Sequence, residues 1–131
     1  MQGHADGGAP DLGTPAMPAG LVGKRFAATV PGCVHDALLT AGAIANPDRG
    51  DGEVAQEWVG HTSWGWHRTM DLEERARGHE RIDLVFESID TCGSVWLNGR
   101  RLGHVENQFR PWRFDVRGIV RTIGNSIGVD L

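Results

Sequence analysis

From residue 64 onward the apolar positions recur every second residue, the period of a strand with one buried face. Trp64, Trp66, Arg68, Met70 and Leu72 share one parity, and Gly65, His67, Thr69 and Asp71 the other. A strand is therefore predicted from Trp64. Glu73 to Glu80 reads as a charged connection, and Arg81 to Glu87 as a second strand with Ile82, Leu84 and Phe86 on one side. Ser94–Leu97 and Arg101–Val105 predict two more strands. Asn98-Gly99 joins them, because both residues tolerate positive φ and so close a hairpin. Arg113–Val116 predicts a short strand, after which the Asp115 carboxylate can cap the turn Val116–Val120. Gly124-Asn125 reads as a turn before a last strand, Ser126–Leu131, where Ile127, Val129 and Leu131 alternate.

The first half of the chain follows another pattern. Residues 1–21 are rich in Gly, Ala and Pro and read as a flexible lead-in, since few large apolar side chains are available to offset ordering entropy. Lys24–Val30 predicts a short edge strand. Pro31-Gly32 is a turn signal, and Val34, Leu38 and Ala41 then recur at helical spacing, which predicts a helix over Val34–Ala41 stopped by Gly42. Asn46–Gly52 is a loop by composition. Short strands at regular spacing with turns between them indicate an all-β sandwich with one short helix near the N-terminus, occupying residues 22–131.

Composition narrows the function. The 131 residues suit one domain, whereas a (β/α)₈ barrel needs roughly 250. With 13 Lys+Arg against 17 Asp+Glu the net charge is 13 − 17 = −4, which argues against nucleic acid or an anionic membrane as partner. No apolar run reaches membrane-spanning length and no signal peptide is evident, so a cytoplasmic location is the default expectation. Cys33 and Cys92 form no metal or redox motif and read as free, buried thiols. The six His show no metal-ligand spacing, and no Gly-rich loop joins a strand to a helix, so neither a metal nor another cofactor is expected. Five Trp with no Tyr stand out. Indole faces suit stacking on sugar rings, but they also fill small cores.

Four segments carry a family resemblance: VPGCVHDALLTAGAI (Val30–Ile44), EWVGHTSWGWHRTMDL (Glu57–Leu72), LVFESIDTCGSVWLNGRRLG (Leu84–Gly103) and NQFRPWRFDV (Asn107–Val116). In this order they resemble the N-terminal domain of β-mannosidases of glycoside hydrolase family 2. A more distant likeness links Val95–Gly99 and Phe114-Asp115 to the family's β-galactosidases and β-glucuronidases. The resemblance implies a jelly-roll β-sandwich like galactose-binding domains, followed in the family by immunoglobulin-like domains and a (β/α)₈ barrel. It further implies retaining hydrolysis of terminal, non-reducing β-mannosyl residues by two barrel Glu. The chain departs from the pattern at both ends. Gly, Ala and Pro replace the usual aromatic residue of the first strand, and the Trp-Asp-Trp-Gly-Pro-like loop that reaches the sugar is missing. The domain is therefore expected to be incomplete at both ends. Ser63 and Gly128 are smaller departures.

No catalytic residue is expected within the chain. Retaining glycosidases need two carboxyls roughly 5–5.5 Å apart, and the nearest attractive pair, Glu87 and Asp90, is structural by the resemblance. Glu53, Glu57, Glu73, Glu74 and Glu80 read as surface charges. The resemblance places the loop before Trp64 near the mouth of the barrel pocket, which makes Trp58, His61 and Trp64 candidates for lining a sugar site. The alternative is that both Trp pack the sandwich and His61 is merely exposed. Trp96, Phe109 and Trp112 read as core or domain-facing. Asn107, Arg110 and Arg113 are candidates for bridging to further domains, Arg110 projecting outward because a residue before proline is extended. The expected role is an accessory domain of a β-mannosidase-like enzyme, with a β-mannoside or related carbohydrate and the parent's other domains as partners. A free-standing carbohydrate-binding module and a non-functional truncated fragment are the rivals.

Overall fold

The computed structural model describes the backbone of Gln2–Asp6 and residues 16–131 in full. The chain divides into two compact units, Met1–Trp66 and His67–Leu131.

In the first unit β1 (Gln2–Asp6) pairs antiparallel with β2 (Arg25–Ala27), and its other neighbour is β3 (Ser63–Met70), along which the chain leaves the unit. The strand expected over Lys24–Val30 is thus shorter than its apolar stretch. The expected helix forms as α1 (Val34–Thr40), turning Ala37 and Leu38 inward. It stops where the sequence places the stop. Gly42 takes φ 65°, its N–H bonds Leu39 O at 2.9 Å, and Ala43 N–H bonds Leu38 O at 2.9 Å. These two bonds satisfy carbonyls the helix would otherwise leave open.

Beyond α1 the expectation of a single helix is corrected. A second helix, α2 (Gly52–Ala55), and two 3₁₀ turns, Ala19–Leu21 and Glu57–His61, complete this unit. The loop predicted for Asn46–Gly52 begins as one, with Asp48 N–H bonded to the Asn46 side chain at 2.8 Å. Gly52 then enters α2 so close to its neighbours that a Cβ would lie 2.8 Å from Asn46 O. The core gathers Leu21, Leu38, Trp58, Val59 and Trp64, with Phe26, Val34 and Ile44 against it. Of the lead-in expected over 1–21, residues 1 and 7–15 lie outside the described residues, Gln2–Asp6 forms β1, and Leu21 belongs to the core.

The second unit is a β-sandwich. One sheet runs β3–β8–β5–β6, from the end of β3 through β8 (Asn125–Asp130) and β5 (Gly93–Leu97) to β6 (Arg100–Val105). The other pairs β4 (Asp83–Phe86) with β7 (Trp112–Asp115), antiparallel, Leu84 opposite Phe114. Alternation does the sorting. Gly93, Val95 and Leu97 point inward from β5, as do Asn125, Ile127 and Val129 from β8. Leu97 and Ile127 meet Ile82, Leu84, Phe86, Phe114 and Val116 between the sheets. Asn98 and Gly99 take φ 53° and 80° and turn β5 into β6 in two residues. The Phe114 ring lies against Gly103, where a Cβ would come within 2.9 Å of it. The fold class is the expected one, an all-β sandwich carrying a few short helical segments.

Asn125, read from sequence as a turn residue, is fully buried at the start of β8. Its amide donates to Arg121 O at 2.7 Å and Met70 O at 3.3 Å, and its oxygen accepts from Arg121 N at 2.7 Å and Asn98 Nδ2 at 3.0 Å. It closes the loop before β8 onto the hairpin after β5. The Asp115 carboxylate caps as expected, accepting from Arg117 N–H at 3.0 Å.

Three further expectations meet the structure. Cys33 and Cys92 are unpaired, but both are exposed rather than buried. Cys33 stands at the start of α1, with its thiol 3.3 Å from the Asp36 carboxylate, and Cys92 lies on the β4–β5 loop. Glu53, Glu57, Glu73, Glu74 and Glu80 are exposed, as expected. Among the described residues no helix is long and apolar enough to cross a membrane.

Candidate functional site

The first unit's sugar-site candidates lie on the 3₁₀ turn Glu57–His61 and the start of β3. The turn is fixed by backbone bonds and by Thr62, whose hydroxyl donates to Trp58 O at 2.7 Å. Trp64 Nε1 donates to Val59 O at 2.9 Å, which satisfies the one polar atom of the indole as it is buried. Trp58 and Trp64 stand 6.2 Å apart, tilted by 39°. Their exposures are only 3% and 6%, which leaves little ring face for a ligand, whereas His61 beside them is exposed. The apolar cavity by Trp64, lined also by Phe26, Val34 and Leu38, measures about 10 Å³. That is room for no more than about one water.

The second unit holds a larger apolar cavity of about 180 Å³ between its sheets, lined by Met70, Leu72, Ile82, Leu97 and Val116 among others. Its carboxylates are engaged, Glu73 by Arg75 and Asp83 by Arg81 at 2.9 Å. A pyranose in such a lining would leave most hydroxyls unpartnered, at a cost.

Polar and aromatic groups instead converge on the loop between β6 and β7. Asn107 accepts from Phe109 N–H at 2.8 Å through its side chain and from Trp112 Nε1 at 3.0 Å through its carbonyl. The Ser88 hydroxyl donates to Gln108 O at 2.9 Å and ties this loop to the one after β4. With its amide nitrogen toward Asp90, Gln108 donates to both carboxylate oxygens at 2.8 and 2.9 Å. Arg110 is exposed, as its place before Pro111 predicts, and its guanidinium lies 3.9 Å from the centre of the Trp112 ring. Phe109 projects at 87% exposure. Arg113 points outward from β7, opposite Val85. Asn107 and Arg110 thus belong to the loop before β7, while Arg113 lies on the strand's outward face. Sequence reasoning grouped Phe109 with the half-buried Trp96 and Trp112. The signal separating them was the loop itself, where alternation lapses between two strands. Glu87 and Asp90 are both exposed at the end of β4. Among the described residues no group of His, Cys, Asp or Glu is placed to hold a metal ion.

The second unit's sandwich of antiparallel strands, with its alternating core, is an all-β domain, and the family profile it matches is of the galactose-binding-like kind. The chain belongs to the glycosyl hydrolase 2 galactose-binding domain-like family, whose profile matches residues 16–131. It is 33% identical over 99 residues to the β-mannosidase of Bos taurus, a match covering 76% of this chain and 11% of that protein. It is 31% identical over 104 residues to a probable β-mannosidase of Caenorhabditis elegans, covering 77% and 11%. The crystal structure of the β-D-mannosidase of Dictyoglomus thermophilum superposes with a TM-score of 0.79 at 27% identity, covering all of this chain and 15% of that one. The chain therefore spans about a tenth of the length of the curated relatives it matches. Its place in them is that of an accessory domain.

Proposed function

We propose that this domain serves a parent enzyme that hydrolyses terminal, non-reducing β-mannosyl residues, supporting a catalytic barrel and bordering its pocket. The observation that carries the reading is the match to the Dictyoglomus thermophilum enzyme, which covers the whole chain but only 15% of that protein. In this role the segment 58–64 faces the sugar pocket. His61 is the exposed member and can hydrogen-bond a hydroxyl, while Trp58 and Trp64 back it from the core. Asn107, Arg110 and Arg113 offer a polar surface to the parent's other domains. A cytoplasmic setting belongs to the same reading, supported by two exposed, unpaired thiols, which persist best in a reducing compartment.

The genomic DNA beyond the codon for Leu131 tests the reading. A frame continuing into further β domains and a barrel with two Glu is expected. Unrelated sequence there, together with saturable sugar binding by the chain alone, would instead make it a free-standing carbohydrate-binding module.

A further inference from the structure

Phe109 is the only exposed aromatic residue among the described residues; every other Trp and Phe is at least half-covered. Leaving such a ring in water forgoes the burial that aromatic side chains ordinarily gain on folding. Its loop is nevertheless held firmly, by the Asn107 side chain on the Phe109 N–H, the Trp112 indole on the Asn107 carbonyl and the Ser88 hydroxyl on the Gln108 carbonyl. The ring is thus presented in advance rather than left loose, so little ordering entropy remains to be lost on binding.

Its surroundings are planar and polar. Gln108 and Arg110 flank it in the chain, and the Asp90 carboxylate lies within hydrogen-bond reach of the Gln108 amide. The Ser88 bond ties the segment after β4 to the same loop. Carboxylates, amides and guanidinium groups are the side chains that bond neighbouring hydroxyls in pairs. A protein interface asks for more apolar ground, about 800 Å² per partner around a hydrophobic centre. Here the other exposed apolar side chains of the unit, Val85 and Ile123, belong to different segments. A single ring rimmed by polar groups matches one C–H face of a pyranose.

We propose that the loop Asn107–Trp112 is a second carbohydrate contact, in which a pyranose stacks on Phe109 and its hydroxyls bond to Gln108 and to the Asp90 carboxylate. The choice of a mannoside rests on the function proposed above; the place of the site does not. It needs only the second unit.

The test is a titration of methyl β-mannoside and β-mannobiose into the 131-residue chain, followed by NMR of the Phe side chains and by calorimetry. Saturable binding is expected, with Kd on the order of 1 mM. Phe109→Ala should weaken it by about tenfold or more with an unchanged melting curve, since the ring contributes little to the fold. Asn107→Ala, which frees the loop, should weaken it less. No saturation by the unaltered chain overturns the proposal, as does binding indifferent to Phe109→Ala. A loss of self-association in Phe109→Ala without any sugar binding also overturns it and makes the ring a protein anchor. Any of these failures leaves the accessory-domain role standing, because that role is judged from the adjoining DNA.

Discussion

The two units place their aromatic rings in opposite ways. In the first, Trp58 and Trp64 are 3% and 6% exposed and form the centre, with Leu21, Leu38 and Val59 around them. In the second the centre is aliphatic, Val95 and Val105 at 0% and Leu97 at 1%, while Trp96, Trp112, Phe86 and Phe114 are half-buried and Phe109 stands in solvent. Backbone regularity explains the difference. Facing sheets leave a gap of about 10 Å, which branched aliphatic side chains fill from both sides. Short helices and 3₁₀ turns enclose an irregular space, and a large ring with one satisfied N–H fills it better. Tryptophan therefore forms the centre of the first unit but not of the second, where Phe86 and Phe114 line the aliphatic core and Phe109 alone is presented to solvent.

The strongest challenge to this contrast is Trp64→Ala. It should cost about 3–5 kcal/mol in urea unfolding, because it empties the centre of the first unit and removes the bond to Val59. A loss below about 1 kcal/mol would mean that the indoles do not hold that unit together. Asn125→Ala should cost about 2–3 kcal/mol by the same measurement, since it strands buried partners at Met70, Arg121 and Asn98. Trp96→Ala should lower stability or soluble yield by a smaller amount, about 1–2 kcal/mol, because the ring is half-buried across from Gly128. Unchanged melting would refute that placement. Phe109→Ala should stay within about 0.5 kcal/mol, and a larger loss would move that ring into the core.

The second unit was largely legible in the sequence. Each strand from β4 to β8 begins and ends within two residues of its expected bounds, because strict alternation around Ile82, Val95 and Ile127 leaves one register that buries them. In the first unit α1 and its Gly42 stop were legible, being long enough to show a period. The four residues of α2 and the five of the turn Glu57–His61 are too few to do so. Asn125 was missed because hydropathy marks it as surface, and only its four hydrogen bonds make burial tolerable. The cysteines were placed inside on residue type alone, and position at a helix start and a loop overrode that tendency. The presentation of Phe109 depended on Asn107, Trp112 and Ser88 acting together, a combination with no signature in sequence order.

The role proposed for this domain is to assist a parent enzyme's glycoside hydrolysis without performing it. The most direct measurement is turnover of a chromogenic β-mannoside by the purified chain. The proposed role predicts a rate indistinguishable from buffer. Detectable turnover that disappears in Glu87→Ala would contradict it.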